Sequence, residues 1–300
     1  MINLKAVAPA PARRSPPVLY DVRDSIAKIT LNRPRFRNAQ NSAMTYGLDS
    51  AFQRAAHDEA VAVIVLGGAG DHFSAGHDIG SPGRDLDVSY PRRTLWPDHV
   101  GRPGVESRLR REAEVYLELV RRWREVPKPT IAMVQGACIA GGLMLAWACD
   151  LIVAADDAFF MDPVLRMGSP GVEFFAHPLQ MRPRFAKEFL FLAERVDAVR
   201  ARELGMVNRV VPRAKLEAET FAIARRIAAM PALALTLAKR AVNFAEDEMG
   251  LRASVDNAFA LHQLAHAASA EVSAGDAILG ATPQSMRRAA AESGTGDPVE

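Results

Sequence analysis

Two short glycine-containing turns, each at the end of an apolar segment, constrain the fold of this 300-residue chain more than any other feature. The first turn covers residues 74–78 and follows the apolar segment 61–67; the second covers residues 139–143 and follows segment 129–136. A short apolar run that ends in such a turn is typical of a buried β-strand, and residues 143–149 then predict a helix. This repeated order of strand, turn and helix predicts an α/β fold.

The backbone N–H groups of these turns are the strongest functional signal. The N–H of His77 and the N–H of Gly141 each lie at the exit of a predicted strand, where they can point to one place. Two converging donors stabilise the negative oxygen that develops on a reacting carbonyl. Gly141 also precedes a predicted helix, whose N-terminus favours negative charge, and glycine allows close approach to the backbone. We therefore predict His77 and Gly141 as catalytic residues.

Several further motifs occur in order along the chain. They are residues 29–34 (ITLNRP), Asn38-Ala39, residues 63–78, Pro127-Lys128-Pro129, residues 136–150 and residues 201–211. On these motifs the chain resembles the crotonase superfamily, the enoyl-CoA hydratase/isomerase family, over roughly residues 18–270. The resemblance implies a crotonase-like spiral of ββα units with a helical C-terminal region that forms trimers. It also implies an enzyme that acts on acyl-CoA thioesters.

The chain departs from the family pattern at two positions. The hydratase branch of the family carries two glutamates that hold and activate water. Alignment on the second turn places Met144 at the first of them, and alignment on residues 160–163 places Val164 at the second. Neither side chain can exchange a proton, so the resemblance implies CoA-thioester chemistry more firmly than hydration of simple enoyl-CoA substrates.

The resemblance also implies a substrate-binding segment around the first turn. In the family, the segment with the pattern Ala-Gly-x-Asp-Ile contacts the adenine of CoA through its backbone. The matching residues here are Ala75, Gly76, Asp78 and Ile79, followed by Gly80. Arg35 matches a basic position of the family and is predicted to meet a CoA phosphate. The long loop-like segment 80–104 is predicted to shape the acyl pocket.

Other ionisable residues compete for the role of proton-transfer group. Glu173 lies where other branches of the superfamily place a catalytic acid, and His177, four residues later, would share a helical face with it. Together they could activate water; a helix-start carboxylate stabilised by the helix dipole is the structural alternative. We take Glu173 as the catalytic candidate and His177 as a substrate-binding one.

Asp162 and the His77 side chain have two interpretations each. Asp162, close to Val164, could replace a missing acid or bind substrate, whereas an Asp-Pro pair more often marks a turn. The His77 imidazole titrates near neutrality and could act as an acid or base. We favour a position in which it lines the pantetheine channel.

Composition and charge exclude several classes of function. A net charge of +2 is too small to favour nucleic acid or a membrane surface as a partner. Cys138 and Cys149 lie in apolar sequence and indicate free thiols in a reducing compartment, here the cytoplasm. Residues 67–70 lack the third glycine of a dinucleotide fingerprint because Phe73 stands there. No cluster with metal-ligand spacing is predicted, and coenzyme A is expected only as part of the substrate.

The predicted organisation has four parts. These are a flexible arm at residues 1–17, an α/β core at 18–205, a helical region at 206–274 and a flexible tail at 275–300. After Arg184 only helices are predicted. Residues 106–126 predict an amphipathic helix whose arginines either meet CoA phosphates or face solvent.

Three functions remain open from the sequence. The first is an acyl-CoA enzyme that stabilises a thioester enolate or oxyanion with two backbone amides. The second is a CoA-thioester or C–C hydrolase that uses Glu173. The third is a non-catalytic acyl-CoA-binding protein, which the missing glutamates favour and the intact turns disfavour. The resemblance further implies a homotrimer, often paired into a hexamer.

Overall fold

The computed structural model describes residues 15–81 and 84–292, so residues 1–14 of the predicted arm lie outside the described residues. The strands are β1 (Val18–Arg23), β2 (Ile26–Leu31), β3 (Val63–Gly68), β4 (Thr130–Val134), β5 (Ala137–Ile139), β6 (Leu151–Ala155), β7 (Phe159–Met161), β8 (Val196–Asp197) and β9 (Arg209–Val211). The helices are α1 (Ser42–His57), α2 (Gly104–Glu112), α3 (Leu119–Arg124), α4 (Gly141–Trp147), α5 (His177–Gln180), α6 (Pro183–Leu192), α7 (Ala198–Glu203), α8 (Leu216–Ala228), α9 (Ala232–Glu248), α10 (Leu251–Val272) and α11 (Pro283–Glu292).

A six-stranded sheet forms the centre, in the order β1-β2-β3-β4-β6-β9. β1 pairs antiparallel with β2, and every other neighbouring pair of this sheet is parallel. A three-stranded sheet, β5-β7-β8, has one parallel and one antiparallel pair. Parallel strands that alternate with helices confirm the predicted α/β class, and α8 to α11 confirm the helical C-terminal region.

Alternate residues of the central strands face two separate apolar cores. Ile64 and Leu66 of β3 belong to the larger core, to which α1 and α4 contribute. Val63 and Val65 belong to a smaller core that α8 covers. Side chains alternate along a strand and both faces of the sheet are covered, which explains the uninterrupted apolar run in the sequence of β3.

Residues 42–56 of the sequence predict a helix with Asn41 or Ser42 as its cap, and helix α1 begins there. Two separate side chains hold its first turn. The Asn41 side chain accepts a hydrogen bond from a backbone N–H of that turn at 3.1 Å, as expected for an N-cap. Asp85 accepts from the first two N–H groups of the helix at 2.9 and 2.7 Å. The described part of segment 80–104 is therefore anchored to α1.

The predicted helix of residues 106–126 is continuous from α2 to α3, but its middle is wider than an α-helix. Residues Ala113–Glu118 form a π-helical stretch between α2 and α3. Such stretches shift the register of neighbouring side chains and are frequent at functional sites. The arginine face is not simply solvated: Arg124 is buried and pairs with Glu246 of α9 at 2.8 Å.

The prediction that only helices follow Arg184 is wrong. β8 pairs with β7, and β9 extends the central sheet beside β6. Strands of two or three residues are too short to show the alternation that identifies a strand in a sequence. In the predicted tail of residues 275–300 the structure has helix α11, and residues 293–300 lie outside the described residues.

Two further properties concern the chain as a whole. Both cysteines carry free thiols, with Cys138 fully buried. Within the described residues no single helix has both the length and the apolar composition of a membrane span. The pair Arg213–Ala228 and Ala232–Glu248, bent by 106°, meets that criterion only when its two helices are taken together.

Candidate active site

Two backbone hydrogen bonds hold the two glycine turns together. Ser74 N–H donates to Ala137 C=O at 3.0 Å, and Ile139 N–H donates to Ser74 C=O at 2.9 Å. A Cβ atom at Gly76, where φ is +89°, would lie 2.8 Å from Ile139 O and 3.0 Å from Gly141 N. The structure therefore requires glycine here, and the missing side chain lets the first turn touch the start of α4.

The N–H groups of His77 and Gly141 are the two predicted oxyanion donors. Gly141 is the first residue of α4, where N–H groups have no acceptor inside the helix. Gly76 and Asp78, on either side of His77, form the backbone hydrogen bonds with Gln40. The N–H of His77 takes no part in this pairing. Within the described residues neither N–H has a protein acceptor. The two turns are thus in contact, and each carries one unpaired donor.

The His77 imidazole lies against the second turn and against Tyr116. Its ring stacks on the Tyr116 ring with 3.6 Å between the centroids. A Cβ atom on Gly141 would meet the imidazole at 2.6 Å. Burial, and next the positive charge of Arg111, lower the pKa of His77 well below its usual value, so the imidazole is neutral at neutral pH. Its position along a pantetheine channel stays a prediction.

Glu173 does not share a helical face with His177, and that prediction is wrong. Glu173 lies in an irregular segment, and α5 begins only at His177. Pro178 explains the late start, because proline fits the first turn of a helix and not its interior.

The Glu173 carboxyl group instead lies between two imidazoles. Its Oε1 is 3.7 Å from His77 Nδ1 and 3.7 Å from His262 Nε2 of α10. Its Oε2 is buried and has no hydrogen-bond partner within the described residues. Burial, and next the negative charge of Glu112, raise the pKa of Glu173 well above its usual value. A buried carboxyl group with a raised pKa and an unused oxygen is suited to proton transfer near neutral pH.

Asp162 and His177 form a separate pair. His177 Nε2 lies 2.9 Å from Asp162 Oδ2, and neither side chain has exposed surface. Asp162 also accepts hydrogen bonds from the N–H of Val172 at 3.1 Å and the N–H of Val164 at 3.3 Å. The pair braces the segment that carries Glu173. Both oxygens of Asp162 are thereby used, whereas His177 Nδ1 is buried without a hydrogen-bond partner within the described residues. The substrate contact of these two residues stays a prediction.

Several residues around Glu173 were not predicted from the sequence. Tyr116 comes from the π-helical stretch, and His262 and His266 come from α10. The two histidines and Glu112 offer ligand atoms that all lie within 4.8 Å of one another, so the expectation of no metal-ligand spacing is wrong. The four-residue spacing of the histidines was visible in the sequence, whereas the approach of Glu112 depends on tertiary structure.

Met144 and Val164 occupy apolar surroundings. Both belong to the larger core; Met144 is on α4 and Val164 begins a short 3-10 helix. Their side chains are almost entirely buried and offer no ionisable group. Their correspondence with the two glutamates of the hydratase branch stays a prediction.

The predicted substrate-binding segment uses part of its backbone internally. Ala75 N–H donates to Arg37 C=O at 2.8 Å, and Asp78 N–H donates to Gln40 C=O at 3.0 Å. These two N–H groups are therefore engaged within the protein. Further along the segment, Ile79 is half-buried and Gly80 is exposed. A Cβ atom on Gly80 would lie 2.6 Å from Pro283, so α11 begins against this loop.

Two arginines near this segment differ in their freedom. Arg33 Nη1 lies 2.9 Å from Asp78 Oδ2. Burial raises the pKa of Asp78, but hydrogen bonds from Ser81 and Arg33 outweigh burial and lower that pKa overall. Arg35 is exposed on the short 3-10 helix Pro34–Phe36 and is open for the predicted phosphate contact.

Comparison with known proteins identifies the family. The model described as "Enoyl-CoA hydratase/isomerase" matches residues 21–90 and 106–275. The chain belongs to the enoyl-CoA hydratase/isomerase family. The crotonase fold that the motifs resembled is thereby confirmed, and family membership supports an enzyme that acts on acyl-CoA.

Relatives extend over most of the chain. The chain is 46% identical to EchA13 of Mycobacterium tuberculosis in an alignment of 259 positions that covers 83% of this chain and 80% of EchA13. A probable enoyl-CoA hydratase from Mycobacterium smegmatis has a crystal structure with a TM-score of 0.77 and 46% identity, covering 86% of this chain and 98% of that one. An enoyl-CoA hydratase/isomerase from Xanthobacter autotrophicus Py2 has a TM-score of 0.72 and 36% identity, covering 83% and 87%.

Proposed function

We propose that this member of the family performs proton transfer on an acyl-CoA thioester. The N–H groups of His77 and Gly141 bind the thioester oxygen, and Glu173 moves the proton. The observation that carries the proposal is the Glu173 carboxyl group, which is buried 3.7 Å from the His77 ring with one oxygen unused.

The proposed step is a deprotonation beside the thioester carbonyl. Glu173 removes a proton from the α-carbon, and the electron pair of the C–H bond moves to the carbonyl oxygen, which becomes an enolate oxygen. The N–H groups of His77 and Gly141 stabilise that charge. When the proton on Glu173 is replaced by a solvent proton before it returns to the α-carbon, the result is exchange; transfer of a proton to another carbon gives isomerisation. The neutral His77 imidazole adds no charge next to Glu173.

We expect weak hydration of simple enoyl-CoA substrates. Water addition needs groups that hold the water and move its protons. Met144 and Val164, which we align with those groups, are buried and apolar. The two N–H donors would still bind the substrate. Without groups that move the protons of water, little hydration should follow.

Exchange of α-protons in D2O tests the proposal. A saturated acyl-CoA, butyryl-CoA, is incubated with the protein, and deuterium in the acyl chain is measured by mass spectrometry. We expect incorporation with the wild type and with Glu118→Gln, a glutamate of the π-helical stretch that pairs with Arg121. We expect none with Glu173→Gln. Equal exchange in both variants would contradict the role of Glu173.

Thiol release in the same incubation, binding of other acyl-CoAs and hydration of crotonyl-CoA decide between the remaining functions. Release of free CoA thiol that needs Glu173 would instead favour a thioester hydrolase. Tight binding of a panel of acyl-CoAs without exchange, isomerisation or thiol release would favour a non-catalytic binding protein. Hydration of crotonyl-CoA at a rate typical of the family would contradict our interpretation of Met144 and Val164.

We also propose a homotrimer or a pair of trimers, located in the cytoplasm. The C-terminal helices leave large apolar side chains uncovered in the single chain. These are Leu233, Leu237, Val242 and Phe244 on α9, Met249, and Leu261 and Leu264 on α10. Large exposed apolar side chains in such number are typical of a protein interface. Light scattering after gel filtration measures the mass directly, and a monomer would contradict the assembly.

A further inference from the structure

A cluster of two histidines and a glutamate lies beside Glu173 and is not needed for the proposed proton transfer. His266 Nε2 lies 3.6 Å from Glu112 Oε1, and His262 Nε2 lies 4.0 Å from Glu112 Oε2. All three residues are buried. The three ligand atoms come from two helices, α2 and α10, which pack against each other near the π-helical stretch.

The hydrogen bonds of the two histidines determine which ring nitrogens face Glu112. His262 Nδ1 is 2.8 Å from Gly171 O, and His266 Nδ1 is 2.9 Å from Ala277 O. A carbonyl oxygen can only accept, so each Nδ1 carries the proton and donates. In the neutral imidazole each Nε2 then has a lone pair. Both lone pairs lie next to the Glu112 carboxylate, so a proton or a cation between these groups would relieve their repulsion.

The spacing fits a shared cation better than direct hydrogen bonds. Distances of 3.6 and 4.0 Å exceed the range of a nitrogen–oxygen hydrogen bond. Zn²⁺ binds imidazole nitrogen and carboxylate oxygen at about 2.0–2.2 Å, so tetrahedral ligands lie about 3.3–3.6 Å apart. The two nitrogen–oxygen distances lie at or slightly above that range, and all three ligand atoms lie within 4.8 Å of one another, so modest side-chain movements would bring them around one ion.

The surroundings of the cluster are those of a metal site. Histidines that bind metals donate their other N–H to a carbonyl or carboxylate, which fixes the ring, and both histidines do so here. Gln263 Nε2 donates to Glu112 Oε2 at 2.6 Å and orients the carboxylate. Glu173, with its buried and unpartnered Oε2, lies 3.7 Å from His262 Nε2. It provides a further oxygen next to the three ligands.

We propose that Glu112, His262 and His266 bind one divalent transition-metal ion of the zinc class. Two imidazoles and a carboxylate favour Zn²⁺, Co²⁺ or Ni²⁺ over Mg²⁺ and Ca²⁺, which take oxygen ligands. Three protein ligands leave one position of a tetrahedral ion open. The proposal does not rest on the proton-transfer function and does not make the ion a reactant.

Metal binding by the full chain tests the proposal. The protein is stripped with a chelator, dialysed and titrated with Zn²⁺ and with Co²⁺, and bound metal is counted by mass spectrometry. We expect about one ion per chain, and a Co²⁺ absorption spectrum typical of tetrahedral nitrogen and oxygen ligands. Mg²⁺ added in excess is expected to leave the bound Zn²⁺ in place.

Matched variants connect the ion to these residues. His266→Gln and Glu112→Gln are expected to weaken Zn²⁺ binding by at least about 100-fold, because each removes a ligand. His99→Gln is the control, since His99 is also buried and its ring also contacts a backbone carbonyl, outside the cluster. Zn²⁺ should raise the melting temperature of the wild type and of the control only.

Two results would overturn the proposal. One is a folded wild-type chain that binds no Zn²⁺ or Co²⁺, which would mean that protons alone hold the cluster together. The other is Zn²⁺ binding that is equally tight in the ligand variants and the control, which would place the ion at other residues. The first result needs no variant, so it holds even if a substitution prevents folding.

Discussion

Two buried carboxylates, Asp162 and Glu173, lie on neighbouring segments and differ in how their oxygens are used. Asp162 contacts His177 at 2.9 Å and accepts two backbone N–H groups, so each of its oxygens is satisfied. Glu173 has two imidazoles at 3.7 Å and an Oε2 without a partner in the described part of the chain. Both are carboxylates near histidines, yet only Glu173 has an oxygen that can still accept a hydrogen bond or a proton.

The difference separates support from chemistry. A satisfied carboxylate fixes its neighbours and gains nothing from a ligand. An unsatisfied buried polar group carries a free-energy cost, which a folded protein retains mainly where function uses it. On this comparison Asp162 is a positioning residue for the segment of Glu173. Variants at the two positions should therefore fail in different ways.

The largest effect is expected for Glu173→Gln. Glutamine keeps the shape and removes proton transfer, so turnover should fall by about 100- to 10,000-fold with little change in acyl-CoA affinity. Steady-state kinetics on an accepted substrate, together with a binding titration, measure both quantities. Full activity in Glu173→Gln would remove the distinction between the two carboxylates.

The next largest effect is expected at the two backbone donors that are proposed to bind the thioester oxygen. Gly141→Pro removes one N–H, and its added ring atoms also press on the His77 imidazole, so turnover should fall by at least about 100- to 1,000-fold. His77→Ala keeps the backbone N–H and should cost much less. Circular dichroism checks that Gly141→Pro is folded. A dead His77→Ala beside an active Gly141→Pro would show that the imidazole, and not the backbone, is required.

Asp162→Asn should affect stability more than chemistry. Asparagine weakens the three hydrogen bonds that the charged carboxylate accepts from His177, Val164 and Val172, and this combined weakening costs about 3–5 kcal/mol in the free energy of unfolding. Urea denaturation measures the loss, and the activity of the remaining folded protein should be close to normal. Asp256→Asn is the control, because the Asp256 side chain is 58% exposed and its ion pair with Arg121 contributes little. A fully stable but inactive Asp162→Asn would reverse the two roles.

The smallest effect is expected for Gln263→Leu, which removes the hydrogen bond to Glu112. A hydrogen bond to a charged group contributes about 1.5–3 kcal/mol, less than the Asp162 pair. The same urea experiment ranks the two variants. A larger loss for Gln263→Leu would mean that the cluster around Glu173, and not the pair of Asp162, stabilises this part of the fold.

Local signals in the sequence predicted the local structure well. Asn41 is the N-cap of α1, and the apolar runs around residues 61–67 and 129–136 are β3 and β4. These signals lie in a few consecutive residues. Glycine at position 76 could likewise be interpreted locally, since one turn needs the close approach.

The side-chain part of the site could not be read in this way. Glu173 meets His77 and His262, which are far from it in sequence, whereas the histidine four residues away meets Asp162. Sequence spacing predicts contacts within a helix, and Glu173 is not in one. The π-helical stretch Ala113–Glu118, which carries Tyr116 to the His77 ring, also has no known signal in local sequence.

The hydrogen bonds between Ser74 and strand β5 make the two turns a single mechanical unit. A displacement of one turn carries the other with it, so the separation of the two N–H groups is insulated from movements elsewhere. Loops elsewhere in the chain can then change length and composition without moving the two N–H groups relative to each other. In such a scaffold, substrate preference can diverge without a change in the separation of the two N–H groups.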